Sequence, residues 1–388
     1  MAIAGGVLIH VQHLLGIGHY DRAMRIAAAL AKAGERIVVA SGGFPVPGAV
    51  PGGVERVQLE PLRAADTTFR RLVDASGAPV DDALRRRRRD ALLALYDELR
   101  PGAVVMETYP FGRRALRVEL DALMSRIAQS SPRPLLASSV RDILQPPAGI
   151  EREQEMLAKS RGLDAILVHA DARFARLEET FAGPAELPPT YYTGFVAGPA
   201  APAAQGAARD EVVVSAGGGA VGAPLLEAAL EARGYSRAAV SRWRVLAGPN
   251  LPEARLRELA AGAPAGVVVE RVREGWAARL ALARVSVSQC GYNTVLDVMR
   301  SGARAVLVPF EEGNQLEQRR RAERLAALDL AIVVDAPEPV ALAAAIDDAI
   351  GREKWGRFDF DCDGAPRSAA LIAELAARGR HARRGLGL

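Results

Sequence analysis

A chain of 388 residues, 49% hydrophobic and 25% charged, carries enough apolar mass for two α/β domains rather than one. Its net charge of +4 suits phosphorylated ligands or an anionic membrane, while 5% aromatics without basic-aromatic interleaving argues against nucleic acid. Two distant cysteines, Cys290 and Cys362, exclude a disulfide framework and a thiolate metal site; with no long apolar span and no signal-type leader, a soluble cytoplasmic protein is expected.

In chain order, residues 7–11 read as a buried strand and 24–32 as an amphipathic helix stopped by Gly34. Between them, Gly16-Ile17-Gly18-His19-Tyr20-Asp21-Arg22 gives two glycines that let a loop turn tightly and approach a ligand. His19 follows at the helix start, on the edge where two domains would close on a substrate. Its imidazole titrates near neutrality, which makes it a candidate general base; the alternative is a histidine that only caps the helix.

Strands are expected at 36–40 and 54–59, then a long helix at 81–99. That helix contains Arg85, Arg86, Arg87, Arg88 and Arg89, which between them cover every direction around its axis. They predict either a solvated helix or peripheral docking to an anionic membrane or phosphate. A strand at 103–106 delivers Glu107 to its carboxyl end, before an aromatic-glycine turn, as a second candidate base. Strands at 135–139 and 165–169 follow, with Arg141-Asp142 read as a structural pair and His169 at the rim, where a helix would begin at Asp171. A strand at 191–196 completes the half. The chain thus divides into residues 1–197, a Pro- and Ala-rich linker at 198–209, a second domain at 210–352 and a terminal segment at 353–388.

The second half opens with a strand at 211–215 and a glycine run, Gly217, Gly218 and Gly219, before a helix near Pro224. Such a turn lets backbone amides approach a pyrophosphate without Cβ obstruction, although it lacks the Walker lysine and serine. Strands at 244–247 and 267–270 lead to Arg271-Val272-Arg273 and a helix. The richest stretch is 284–325, which reads strand, loop, helix, strand, loop, helix. Its first turn contains Gly291 and Asn293. The helix at 294–300 starts with Thr294 and places Asp297 one turn in, where a carboxylate can accept from ribose hydroxyls. The next loop offers Glu312, Asn314, Gln315 and Gln318 for sugar hydroxyls. A strand at 332–334, a helix at 340–350 and a last helix at 365–378 end the chain.

Two patterns carry a resemblance. Gly291, Thr294-Val295-Leu296-Asp297, Ser301-Gly302, Val308-Pro309-Phe310 and Asn314-Gln315 or Glu317-Gln318 resemble the donor-binding half of GT-B glycosyltransferases, in particular the group that forms lipid II. Asp297 stands where that group has glutamate, and Cys290 where it has serine. The pattern of Gly16, Gly18, His19 and Arg22 is similar both to that group and to the UDP-sugar hydrolase of pseudaminic acid synthesis. The resemblance implies an α/β GT-B fold, two Rossmann-like domains with parallel sheets facing across a cleft, and a terminal helix crossing back to the first domain. It implies transfer of a sugar from a nucleotide donor, UDP-sugar among them, to a small-molecule or lipid-linked hydroxyl, with no cofactor and no essential metal. His19 or Glu107 would act as base. Gly18, Gly217, Gly218, Gly219, Val272, Gly291, Asn293, Thr294, Asp297, Glu312, Asn314, Gln315 and Gln318 would bind the donor, Val272 through backbone groups at the base. Alternatives are a hydrolase whose His19 activates water, a 2-epimerase, and a non-catalytic binding module.

Overall fold

A computed structural model describes residues 2–66, 71–182, 186–199, 209–217, 222–249, 251–272, 276–311 and 316–385, with side chains to residue 379. The chain divides into two units, Met1–Val196 with Asp361–Leu388, and Ala197–Phe360.

The first unit runs β1 (Val7–Val11), α1 (Gly18–Lys32), β2 (Ile37–Ser41), β3 (Val54–Gln58), a short antiparallel pair β4 (Arg63–Ala64) and β5 (Leu72–Val73), and α2 (Asp82–Leu99). It continues with β6 (Ala103–Glu107), α3 (Arg117–Ala128), β7 (Leu135–Arg141), α4 (Ile150–Ser160), β8 (Ala165–His169) and β9 (Thr190–Tyr192). Its strands form a parallel sheet in the order β3-β2-β1-β6-β7-β8-β9. Strands β1, β2, β6 and β8 are apolar nearly throughout and buried at every position, as a sheet covered on both faces requires.

The second unit runs β10 (Glu211–Ser215), α5 (Ala223–Ala232), β11 (Arg242–Ala247), α6 (Glu253–Ala261), β12 (Val267–Arg271), α7 (Trp276–Ala281) and β13 (Ala283–Ser288). It ends with α8 (Tyr292–Ser301), β14 (Arg304–Leu307), α9 (Glu317–Ala327), β15 (Ala331–Val333) and α10 (Pro339–Gly351). Its parallel order is β12-β11-β10-β13-β14-β15. Each sheet therefore has one point where strand order reverses, β1/β6 in the first unit and β10/β13 in the second. Loops leaving the carboxyl ends of those strands diverge and open a crevice for ligands.

After the second unit, α11 (Gly364–Gly385) joins the first. Ala369, Ile372 and Ala376 are buried in its core with Ile3, Val7 and Ala27. Phe195 N–H donates to Asp361 O at 2.7 Å and Gly364 N–H to Phe195 O at 3.0 Å. A Cβ on Gly364 would lie 2.4 Å from Gly194 O and 2.7 Å from Phe195 C. Gly364→Ala is therefore expected to lower stability by about 1–3 kcal/mol through backbone displacement, measured as a reduced midpoint in denaturant with an unchanged slope.

Three local readings are corrected. Among the described residues no α-helix lies between β8 and β9: the Asp171 carboxylate accepts from Arg173 N at 2.8 Å and from its guanidinium, a side-chain turn that competes with the helix, and a short 3-10 turn forms at Leu177–Thr180. His169 does not line the rim but is fully buried. The arginine run is not solvated as a whole. Arg88 is 1% exposed and forks onto Glu119, with Nε–Oε2 2.8 Å and Nη2–Oε1 2.7 Å, while Arg87 pairs with Glu60, Arg89 with Asp90, and Arg85 reaches Ala115 O. Arg86 and Arg87 are the exposed members of the run, and Arg87 is paired with Glu60. Among the described residues no helix is long and apolar enough to cross a membrane.

Candidate active site

Helix α1 begins at Gly18, six residues before its apolar periodicity becomes visible. His19 and Arg22 are three residues apart and share one helix face. Glu107 ends β6, the neighbour of β1, so the reversal point of the first sheet brings the two candidate bases together. His19 Nδ1 lies 2.9 Å from Glu107 Oε1. They are one dyad, not two alternatives.

Glu107 is 1% exposed and accepts from every side. Arg22 forms an ion pair with Oε1, Thr108 Oγ1 donates to Oε1 at 3.1 Å, and Ser139 Oγ donates to Oε2 at 2.7 Å. Burial alone would raise its pKa, but the charge of Arg22 and the donated bonds outweigh it and hold the carboxyl well below the usual range. Glu107 is thus a permanent carboxylate. Facing it at 2.9 Å, His19 Nδ1 must carry the proton, which leaves Nε2 as the lone-pair nitrogen. Arg22 Nη2, 3.1 Å from Nδ1, then belongs to Glu107 rather than to the histidine. Nε2 has no protein partner among the described residues, and the His19 side chain is 16% exposed.

Burial and the nearby Arg113 cation depress the His19 pKa well below 6.5, against the raising influence of Glu107. Arg113 Nε donates to Gln12 O at 2.8 Å; desolvation lowers its own pKa to about 10. The imidazole is therefore neutral at physiological pH. Thr108, directly after Glu107, has φ +68°, a left-handed conformation that costs a β-branched residue about 1–3 kcal/mol. Its amide donates to Ser139 O at 2.8 Å, and its Oγ1 lies 3.2 Å from His19 Nδ1. The strain is held where the dyad is oriented.

The second unit collects its candidates at the other reversal point. Gly217, with φ +67°, follows β10, and a Cβ there would sit 3.3 Å from Thr294 Oγ1, so the glycine turn and the start of α8 adjoin. Gly291 is the extended N-cap residue of α8 and supplies no side-chain cap, leaving the amides of the first turn, Asn293 and Thr294 among them, for an anion. Asp297 lies one turn further, half-buried. Gln318 Oε1 accepts from Cys290 N at 2.9 Å and Phe310 N at 3.1 Å, tying the loops after β13 and β14 together. Val272 spends its N–H on Ala247 O at 2.8 Å. Gly18 opens α1 in the first unit rather than joining the second-unit group. Gly218, Gly219, Glu312, Asn314 and Gln315 lie outside the described residues. Among the described residues no three histidine, cysteine or acidic side chains gather as a metal site.

Sequence reading gave Arg22 no role although it stands in the glycine-histidine pattern, and it missed Ser139, Thr108 and Arg113. Neighbouring strand ends bring these residues to the dyad, and one-dimensional spacing does not reveal that.

Residues 213–353 match the Glycosyltransferase family 28 C-terminal domain model. A search of curated protein sequences finds no match. Among solved structures, the chain resembles CalG4, the calicheamicin glycosyltransferase, with 17% identity, TM-score 0.56 and 98% of each chain covered. Glycosyltransferase VinC in complex with dTDP aligns at 14% identity and TM-score 0.58, over 96% of this chain and 95% of that one. Phytolacca americana UGT2, complexed with UDP-2-fluoro-glucose and pterostilbene, aligns at 12% identity and TM-score 0.57, over 97% and 94%. The chain has the GT-B α/β fold of these glycosyltransferases, two Rossmann-like units each built on a parallel sheet, and its second unit is similar to the family 28 C-terminal domain.

Proposed function

We propose that the protein is a glycosyltransferase that moves a sugar from a nucleoside-diphosphate donor to a hydroxyl of a small-molecule acceptor. The observation that carries this reading is the His19–Glu107 dyad, with a neutral, partner-free Nε2 backed by a permanent carboxylate. Nε2 takes the acceptor hydroxyl proton as the acceptor oxygen bonds to the anomeric carbon. The bond from that carbon to the diphosphate breaks, and its electron pair leaves with the diphosphate. Glu107 stabilises the imidazolium formed. The second unit holds the donor. The turn at Gly217 and the uncapped start of α8 receive the diphosphate, and Asp297 accepts from the ribose hydroxyls. UDP and dTDP are the favoured nucleotides, since the similar structures named above were solved with a UDP-sugar and with dTDP.

The donor half is tested by thermal shift against a panel of nucleoside diphosphates. One nucleotide is expected to raise the melting temperature by mass action, with the gain lost in Asp297→Ala. No shift with any member at saturating concentration rejects the donor site. The leaving group is assigned to backbone amides, so turnover is expected to survive EDTA; loss restored by magnesium contradicts that assignment.

The base half makes a pH prediction. A folded-state pKa well below 6.5 keeps His19 unprotonated at pH 6.5, so the acid limb of kcat/KM falls below that value. Arg113→Gln removes a cation that opposes the imidazolium, and the limb is expected to move to higher pH. A pH profile identical to that of the unmodified enzyme contradicts the assignment.

A further inference from the structure

Behind Glu107 the polar contacts continue into the interior. Ser139 Oγ has one proton, and the permanently ionised Glu107 Oε2 at 2.7 Å claims it. Ser139 Oγ must then accept from His169 Nε2, 2.8 Å away, so His169 carries its proton on Nε2. Its Nδ1 in turn accepts from Thr193 Oγ1 at 2.9 Å; Ser368 Oγ of α11 lies 3.4 Å away and donates to Gly364 O at 2.6 Å. All the donors along this line point the same way, from Thr193 through His169 and Ser139 to Glu107. His169 and Ser139 are almost wholly buried. An interior histidine and serine are costly unless paired, and a hydrophobic pair would fill the space more cheaply.

The far end of the line rests on the terminal segment. Thr193 stands at the turn into Gly194 and Phe195, the segment on which Asp361 and Gly364 dock, and Val196 bridges Asp363. Gly194 itself leaves no room for a Cβ, which would lie 2.8 Å from Asp361 Cγ.

The geometry points to Ser139 and His169 as positioning residues: a buried hydrogen-bond chain that carries the docking of the terminal helix to the orientation of the Glu107–His19 dyad. This rests on the proposed role of His19 as base. Ser139 holds the second carboxylate oxygen, fixing the plane in which the first can meet His19 Nδ1. His169 holds Ser139 in the donating rotamer. Around the dyad the charged groups are Arg22 from α1, Glu107 from β6 and Arg113 from the loop after it, so the chain from His169 adds dipoles without adding charge.

The test follows the His19 ring by nitrogen NMR in the full-length protein, without substrate, beside steady-state turnover. Ser139→Ala deprives Glu107 of one donor, so the carboxylate attracts the imidazolium more strongly. The His19 titration is expected to move to higher pH. Turnover is expected to fall about tenfold in kcat with donor KM unchanged, because part of the dyad's contribution is positional. Ser139→Thr keeps the hydroxyl and is expected to restore both. A His19 titration unchanged in folded Ser139→Ala overturns the inference. If Ser139→Ala does not fold, Thr193→Val at the far end decides by the same ring titration: a shift supports the chain, and none overturns it. The titration needs no turnover, so a shifted titration in a protein that transfers no sugar keeps the chain and rejects the transferase reading instead.

Discussion

His19→Ala is expected to lower turnover by about 10²–10⁴-fold while leaving nucleoside-diphosphate binding unchanged, because it removes a proton acceptor and nothing from the second unit. Glu107→Gln is expected to be similarly inactive for a different reason. An amide at that position can present its NH₂ to His19 and favour the tautomer with the proton on Nε2, which cannot accept one from a hydroxyl. It also removes the carboxylate charge that pairs with Arg22, which is 2% exposed, so stability is expected to fall by about 3–5 kcal/mol. His19→Ala lacks that penalty. Comparing the two variants by denaturant midpoint and by rate separates the catalytic loss from the structural one. Equal activity of His19→Ala and the unmodified protein removes the dyad from the mechanism.

The second large effect is structural. Arg88→Ala is expected to cost about 3–5 kcal/mol, since it takes the guanidinium from the buried Glu119 carboxylate and removes donors to Gly42 O, Glu60 O and Gln12 Oε1. Arg86→Ala, in the same run, is expected to change stability by no more than about 0.5 kcal/mol. The pair also has a pH signature. Burial would raise the Glu119 pKa, but His10, 3.5 Å away, and Arg88 lower it to about 2 from 4.5. A depressed folded-state pKa stabilises above the unfolded value and stops doing so as pH falls through the folded one. With His10 and Arg88 together, the Glu119 carboxylate therefore contributes about 3 kcal/mol above pH 4.5, lost progressively toward pH 2. Without Arg88 the carboxyl pKa is expected to rise, and that acid-side loss shrinks. An unchanged acid denaturation profile in Arg88→Ala contradicts the assignment.

Much of the fold was legible because parallel strands buried on both faces read as continuous apolar runs. Residues 7–11, 165–169 and 211–215 coincide with β1, β8 and β10. Helices with thin apolar stripes were not legible. In α4 only Ser160 is buried, and its sequence, IEREQEMLAKS, offers few apolar positions to read. The start of α1 was hidden because His19, Tyr20, Asp21 and Arg22 interrupt the apolar pattern just where the chemistry sits. Of the candidate site, both members of the dyad were visible as residue types at strand and helix ends. Their contact was not, because it depends on β6 inserting beside β1 across nearly 90 residues of chain. Five arginines in a row read as surface, yet Arg88 is buried because Glu119 and three oxygen acceptors wait for it across the fold, a partnership no local window contains. Gln318 was legible as a polar loop group, but its bonds to Cys290 N and Phe310 N give it the work of a clamp.

The central claim is sugar transfer from a nucleoside-diphosphate donor with His19 as base. Release of nucleoside diphosphate from UDP- and dTDP-hexoses, measured with a panel of phenolic and alcoholic acceptors in EDTA, tests it most directly. The account predicts acceptor-dependent release accompanied by a glycosylated product, falling at least about 100-fold in His19→Ala. Release of free sugar without acceptor, or no release above the His19→Ala level with any donor, would contradict it.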